Sequence, residues 1–155
     1  MHPRNEAFIH FDMSTERLNS ALRTLNMVKE HQDHPLMGPA FRFALVEYAA
    51  PYTNSEGMTK KNHSLGTRYV PKDFLTLHER LVTSRKKIHA HADLSVRDPR
   101  LSYTDMGDQR LVSITQKNIT GLEELQHIDD IIRLIERTLK NMYAQRDTLK
   151  QGLKF

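Results

Sequence analysis

Arg85 and His91 stand six residues apart in the run Arg85-Lys86-Lys87-Ile88-His89-Ala90-His91-Ala92-Asp93. Arginine offers a phosphate a planar, permanently charged fork. Histidine moves a proton near neutral pH. Brought together, the two can bind an RNA phosphate and assist its cleavage. The run falls near the end of a segment that reads as a helix. On an ideal helix, residues six apart point about 120° away from each other. The pair therefore converges only where the helix ends or loosens, or where a second subunit completes the site. His89, four after Arg85, shares its face and is the rival for the histidine role.

The element that must position them is a third helix opened by Pro71, with the apolar stripe Phe74, Leu77, Leu81, Ile88 and Ala92. Arg85 occupies the stripe position between Leu81 and Ile88, not the solvent face. A charged group there needs an ionic partner, or a buried stem with its head in a cleft or at a subunit interface. A plain structural ion pair is the competing reading.

Periodicity elsewhere is also helical. Phe8, Phe11, Leu18, Leu22 and Leu25, with Thr15 in the gap, make one stripe. Pro35 and Gly38-Pro39 interrupt it. A shorter helix then carries Phe41, Leu45 and Tyr48 on one face, and Pro51 ends it. Residues 52–70 lack sustained periodicity and read as a long basic loop. Residues 101–104 and 111–114 flank a turn at 105–108 and suggest a small β-hairpin. Thr120-Gly121-Leu122-Glu123 has the form of a capping box, where the last helix is expected to begin. Its stripe is Leu125, Ile128, Ile131, Ile132, Ile135, Leu139 and Met142. The expected fold is all-α: an up-and-down bundle of four main helices with a small β-hairpin insertion, one domain over residues 1–155.

The net charge of +4 is unevenly placed. Residues 58–100 carry 10 Lys/Arg against 4 Asp/Glu, a net of +6, whereas residues 1–57 carry 5 against 7. A local basic field attracts polyanions; a merely solvated basic face is the plainer account. There is no cysteine, hence no disulfide, thiol nucleophile or thiolate metal site. No apolar run approaches the roughly 20 residues of a membrane span. The N-terminus lacks a signal peptide's apolar core. The expectation is a soluble cytoplasmic protein. His89/His91 and His31/His34 have spacings found in metal sites, but without further ligands they are not specific, and no metal or cofactor is expected. Glycine-rich phosphate loops, the Gly-x-Ser-x-Gly elbow and His-Glu-x-x-His are absent.

The run at 85–93 resembles the Arg-x4–6-His motif of the HEPN superfamily, and its form is most similar to members related to abortive-infection phage-defence proteins. The motif covers nine residues; the order of helices agrees over most of the chain. The resemblance implies an all-α homodimer with two motifs facing across a cleft, and often a metal-independent endoribonuclease of a toxin–antitoxin or phage-defence system. Arg85 takes the place of the family arginine and His91 that of the histidine. Lys86 stands where active members commonly carry Asn, Asp or His, which leaves room for a catalytically inactive HEPN-like interaction module with an antitoxin partner. In the cleaving reading, histidine acts as general acid or base and Arg85 stabilises the phosphorane-like transition state. Lys60, Lys61, Arg68, Lys86 and Lys87 are the candidates for RNA binding. A structural helical bundle without such a site is the remaining alternative.

Overall fold

Pro3 starts the first helix because a missing N–H costs nothing at that position. The computed structural model, which describes residues 2–86 and 94–153, opens with α1 at Pro3–Glu30. His2 Nδ1 accepts the Arg4 N–H at 3.2 Å, and Glu6 lies in the first turn, where the helix dipole favours negative charge. The helix ends at His31, whose N–H returns to the Met27 carbonyl. Its buried face is Phe11, Ser14, Thr15, Leu18, Ala21, Leu25 and Val28. Helix α2, Met37–Ala49, has Gly38 and Pro39 in its first turn and buries Phe41, Ala44, Leu45, Tyr48 and Ala49. A 3-10 turn at Ala50–Tyr52 closes it.

Residues 52–70 differ from a plain loop. They contain a minimal antiparallel hairpin, β1 (Ser55–Glu56) and β2 (Asn62–His63), with Ser55 opposite His63. Leu65, Tyr69 and Val70 then enter the core. Strands of two residues are too short to leave an alternating pattern in the sequence. After a 3-10 turn at Lys72–Phe74, helix α3 covers Leu75–Ser84 and buries Leu77, His78 and Leu81. Ile88 and Ala92, expected on its stripe, lie outside the described residues.

A short helix α4 at Leu94–Arg97 leads into β3 (Arg100–Asp105) and β4 (Arg110–Thr115), the expected hairpin. Gly107, at φ 81°, makes the turn that an L side chain resists. All strand residues are exposed. Thr120 and Glu123 do form a reciprocal contact. The Thr120 N–H donates to Glu123 Oε1 at 3.0 Å, and Thr120 Oγ1 accepts the Leu122 N–H at 3.2 Å. They cap a turn, however, and helix α5 begins later, at Ile128, after a 3-10 turn at Leu125–His127. It runs to Gln151, with Leu149 packed on the core.

The fold is thus mostly helical, with two small two-stranded sheets. Helix α1 packs against both α2 and α5, and α2 also meets α3. Among the described residues no helix is long and apolar enough to cross a membrane.

Leu18 is fully buried on α1, the helix that meets both α2 and α5. Leu18→Ala is expected to lower stability by about 2–5 kcal/mol. Denaturant unfolding measures it, and a loss under about 1 kcal/mol would contradict this placement of α1.

Candidate functional site

Helix α3 gives way just after Ser84. Arg85 keeps helical angles, with its N–H shared between the Leu81 and Val82 carbonyls, and Arg85 and Lys86 fall in a wider π-type turn. Such turns re-aim side chains and recur at functional sites. Arg85 is half-buried, and its Nε, shielded from solvent, has no hydrogen-bond partner among the described residues. The side chain lines a cleft of about 530 Å³. Among the described residues Arg85 forms no ion pair with a carboxylate.

Helix α1 supplies another part of the lining. Glu6, His10, Met13 and Arg17 follow steps of four, three and four, so they share one helix face, and all four line the cleft. The β1–β2 hairpin supplies Glu56, Gly57, Met58 and His63. The cleft therefore holds two arginines, two histidines and two carboxylates. Arg17 is already paired with Glu47 at 2.8 Å.

Glu6 organises this wall. It is buried and accepts the Thr59 N–H at 3.1 Å through Oε1 and the Thr59 hydroxyl through Oε2. His63 Nε2 stands 3.3 Å from Oε2, close enough for an ion pair though not aligned as a hydrogen bond. The Thr59 hydroxyl is the main reason the Glu6 carboxyl is held down to about 2, against burial, which pushes it up. Gly57 is required by the same packing: a Cβ there would meet Glu6 Oε1 at 2.5 Å and His63 Cδ2 at 2.8 Å.

His10 and His63 stack, with ring centroids 5.5 Å apart and planes 27° from parallel. Burial first, and then the charge of His63, holds the His10 imidazole below its ordinary value. The two rings also line a second cleft of about 410 Å³ with Arg4, Phe8, Arg68 and Tyr69. They form the wall between the two clefts.

Of the residues expected at the site, Arg85 lies in the larger cleft. His89, His91 and Lys87 lie outside the described residues. Lys86 is exposed. Lys60 and Lys61 are exposed on the hairpin whose strand β2 carries His63; Lys60 takes a left-handed φ of 57° in its turn. Arg68 is across the histidine wall, its guanidinium 5.2 Å from the Tyr69 ring centroid. Glu6, His10, Arg17 and His63 were not singled out from the sequence. The polar row Glu6, His10, Arg17 on α1 was a readable signal, hidden beside the stronger apolar stripe. Nothing local points to His63. No group of three or more His, Asp or Glu among the described residues is placed to hold a metal ion. Comparison with family models, with curated proteins and with solved structures finds no match to this chain.

The depressed Glu6 carboxyl sets an acid-stability expectation. The unfolded chain protonates first as pH falls, near 4.5, and the folded protein only near 2. The stability linked to Glu6 is whole above about pH 4.5 and disappears as pH falls through about 2. Asp73, lowered by its hydrogen bond from Arg137, and Asp129, lowered by its hydrogen bond from Lys29, add the same trend to any variant. Urea midpoints between these pH values should therefore fall more steeply for wild type than for Glu6→Gln. Equal slopes would show that Glu6 is not a charged, hydrogen-bonded group in the folded protein.

Proposed function

We propose that this chain is a HEPN-like RNA-binding protein that cleaves RNA as a metal-independent endoribonuclease, acting as a homodimer in a toxin–antitoxin or phage-defence setting. The observation that supports the reading best is Arg85. Its guanidinium is half-buried at the end of α3, with Nε unpaired among the described residues, in the wall of a cleft of about 530 Å³. A cation held there without a carboxylate suits an anionic group of a ligand. The packing of α1 on α2 and α5 is compatible with the four-helix bundle this reading needs. The basic residues Lys60, Lys61, Arg68 and Lys86 are exposed, which suits contact with flanking phosphates.

In this reading the 2′-hydroxyl of the RNA attacks the adjacent phosphorus, and Arg85 stabilises the charge that builds on the phosphoryl oxygens. The products are a 2′,3′-cyclic phosphate and a 5′-hydroxyl. The catalytically silent interaction module is the second reading, favoured by Lys86, an exposed lysine where active members of the resembled family carry Asn, Asp or His.

Single-stranded RNA should bind with an affinity that falls steeply as salt rises. Replacing Lys60, Lys61, Lys86 and Lys87 by Ala should weaken binding for all sequences alike. Arg85→Ala should lose cleavage by about 10²–10³-fold. EDTA should leave cleavage intact, and DNA, which lacks the attacking hydroxyl, should survive. Gel-based cleavage and filter binding read all of these. Binding without cleavage, in protein shown by light scattering to be dimeric, would favour the silent module. RNA affinity unchanged in the four-lysine variant would reduce the basic excess to a solvated surface.

A further inference from the structure

We propose that His63, positioned by Glu6, and His10 stacked beside it carry out the proton transfers of the Arg85 cleft. The proposal rests on the phosphodiester-cleaving reading above and names the residues that would serve it. Cleavage by the 2′-hydroxyl needs one group to take a proton from the entering oxygen and another to give one to the leaving oxygen. Two imidazoles side by side at the edge of an arginine-lined cleft meet that need. His10 and His63 are 5.5 Å apart, both are half-buried, and both line the cleft that holds Arg85.

The surroundings distinguish the two rings. Glu6 Oε2 stands 3.3 Å from His63 Nε2, so a carboxylate lies against that ring and favours its protonated form. The carboxylate is itself fixed by Thr59, so the His63 ring is held by a chain of contacts and not by a mobile side chain. Among the described residues no carboxylate pairs with His10. Burial and His63 favour its neutral form, so His10 is the ring suited to accept a proton near neutral pH. The other charged groups lining this side are Arg17 on α1, Glu56 on β1 and Arg85 after α3. Arg4 and Arg68 lie across the histidine wall.

The step balances within the site. The 2′-oxygen gives its proton to His10 and forms a bond to phosphorus. The bond from phosphorus to the 5′-oxygen breaks, its electron pair goes to that oxygen, and His63 protonates it. Exchange with water then restores both rings.

The test is single-turnover cleavage of a short single-stranded RNA by the full chain in EDTA. His63→Ala and His10→Ala should each lose about 10²–10⁴-fold in rate while RNA affinity stays within a few-fold. Free imidazole should restore part of the activity of His63→Ala, which a purely structural role would not allow. His63→Gln, which keeps most of the volume, replaces His63→Ala if the latter fails to fold by thermal melting. Glu6→Gln should lower kcat and leave KM nearly unchanged, as a positioning residue would. Cleavage by both histidine variants within threefold of wild type, with Arg85→Ala inactive, overturns this assignment and leaves the ribonuclease reading standing. A loss in His63→Ala that imidazole does not restore overturns it as well. Wild-type protein that binds RNA without cutting it overturns both.

Discussion

A buried carboxylate at the start of α1 governs the end of the molecule that holds the Arg85 cleft. Glu6 is only 6% exposed, and an ionised group so placed must be supplied with donors. Thr59 supplies two, from its backbone N–H and its hydroxyl, and His63 faces the same carboxylate. The donors come from a hairpin whose strands are two residues long, far too short to stand alone. Glu6 and the hairpin therefore depend on each other. The chain beyond is held by Leu65, Tyr69 and Val70 in the core and by the Leu65 N–H on the Pro51 carbonyl at 2.8 Å. Remove the carboxylate and His63 loses its fixed place beside His10.

Beneath that wall the core does a different task. Helix α1 offers adjoining faces to two jobs: Phe11, Leu18, Ala21 and Leu25 go inward, while Glu6, His10 and Arg17 line the cleft. Helix α3 is tied to α2 by a polar contact inside the core, where the Tyr48 hydroxyl and His78 Nδ1 share a hydrogen bond at 2.8 Å. Burial pushes the Tyr48 phenol up and the His78 imidazole down, so both groups stay neutral and the pair carries no buried charge. That contact joins the packing of Leu77 and Leu81 in holding α3 against the core. Arg85 then leaves the helix end toward the cleft instead of into the core.

Much of this was legible in the sequence, and the reasons differ by element. The stripe Phe11, Leu18, Leu25 on α1 and the stripe Ile128, Ile131, Ile135, Leu139 on α5 are written in steps of three and four, which a single chain reveals unaided. The β3–β4 hairpin was legible from its turn residues. The half-buried setting of Arg85 follows the spacing from Leu77 and Leu81, while Ile88 and Ala92 lie outside the described residues. The start of α5 was misplaced because Thr120 and Glu123 make their capping contact on a turn that does not continue into the helix. His63 and Glu6 were invisible for a stronger reason: they meet across 57 positions through a hairpin with no periodic signal, and only tertiary packing brings them together.

Arg17 and Arg85 share the cleft but differ in what is left for a ligand. Arg17 is bound to Glu47 at 2.8 Å in a pair whose arginine is nearly half-exposed, so water screens what remains of its charge. Arg85 has paid part of its desolvation cost already, since its Nε is out of solvent, and no described carboxylate offsets it. A buried donor without an acceptor is unfavourable in the empty protein and becomes favourable when an anion arrives. The basic excess of residues 58–100 would act on a polyanion over a longer range than Arg85 does. Arg85 is where one anionic group would be held, with two histidines lining the same cleft.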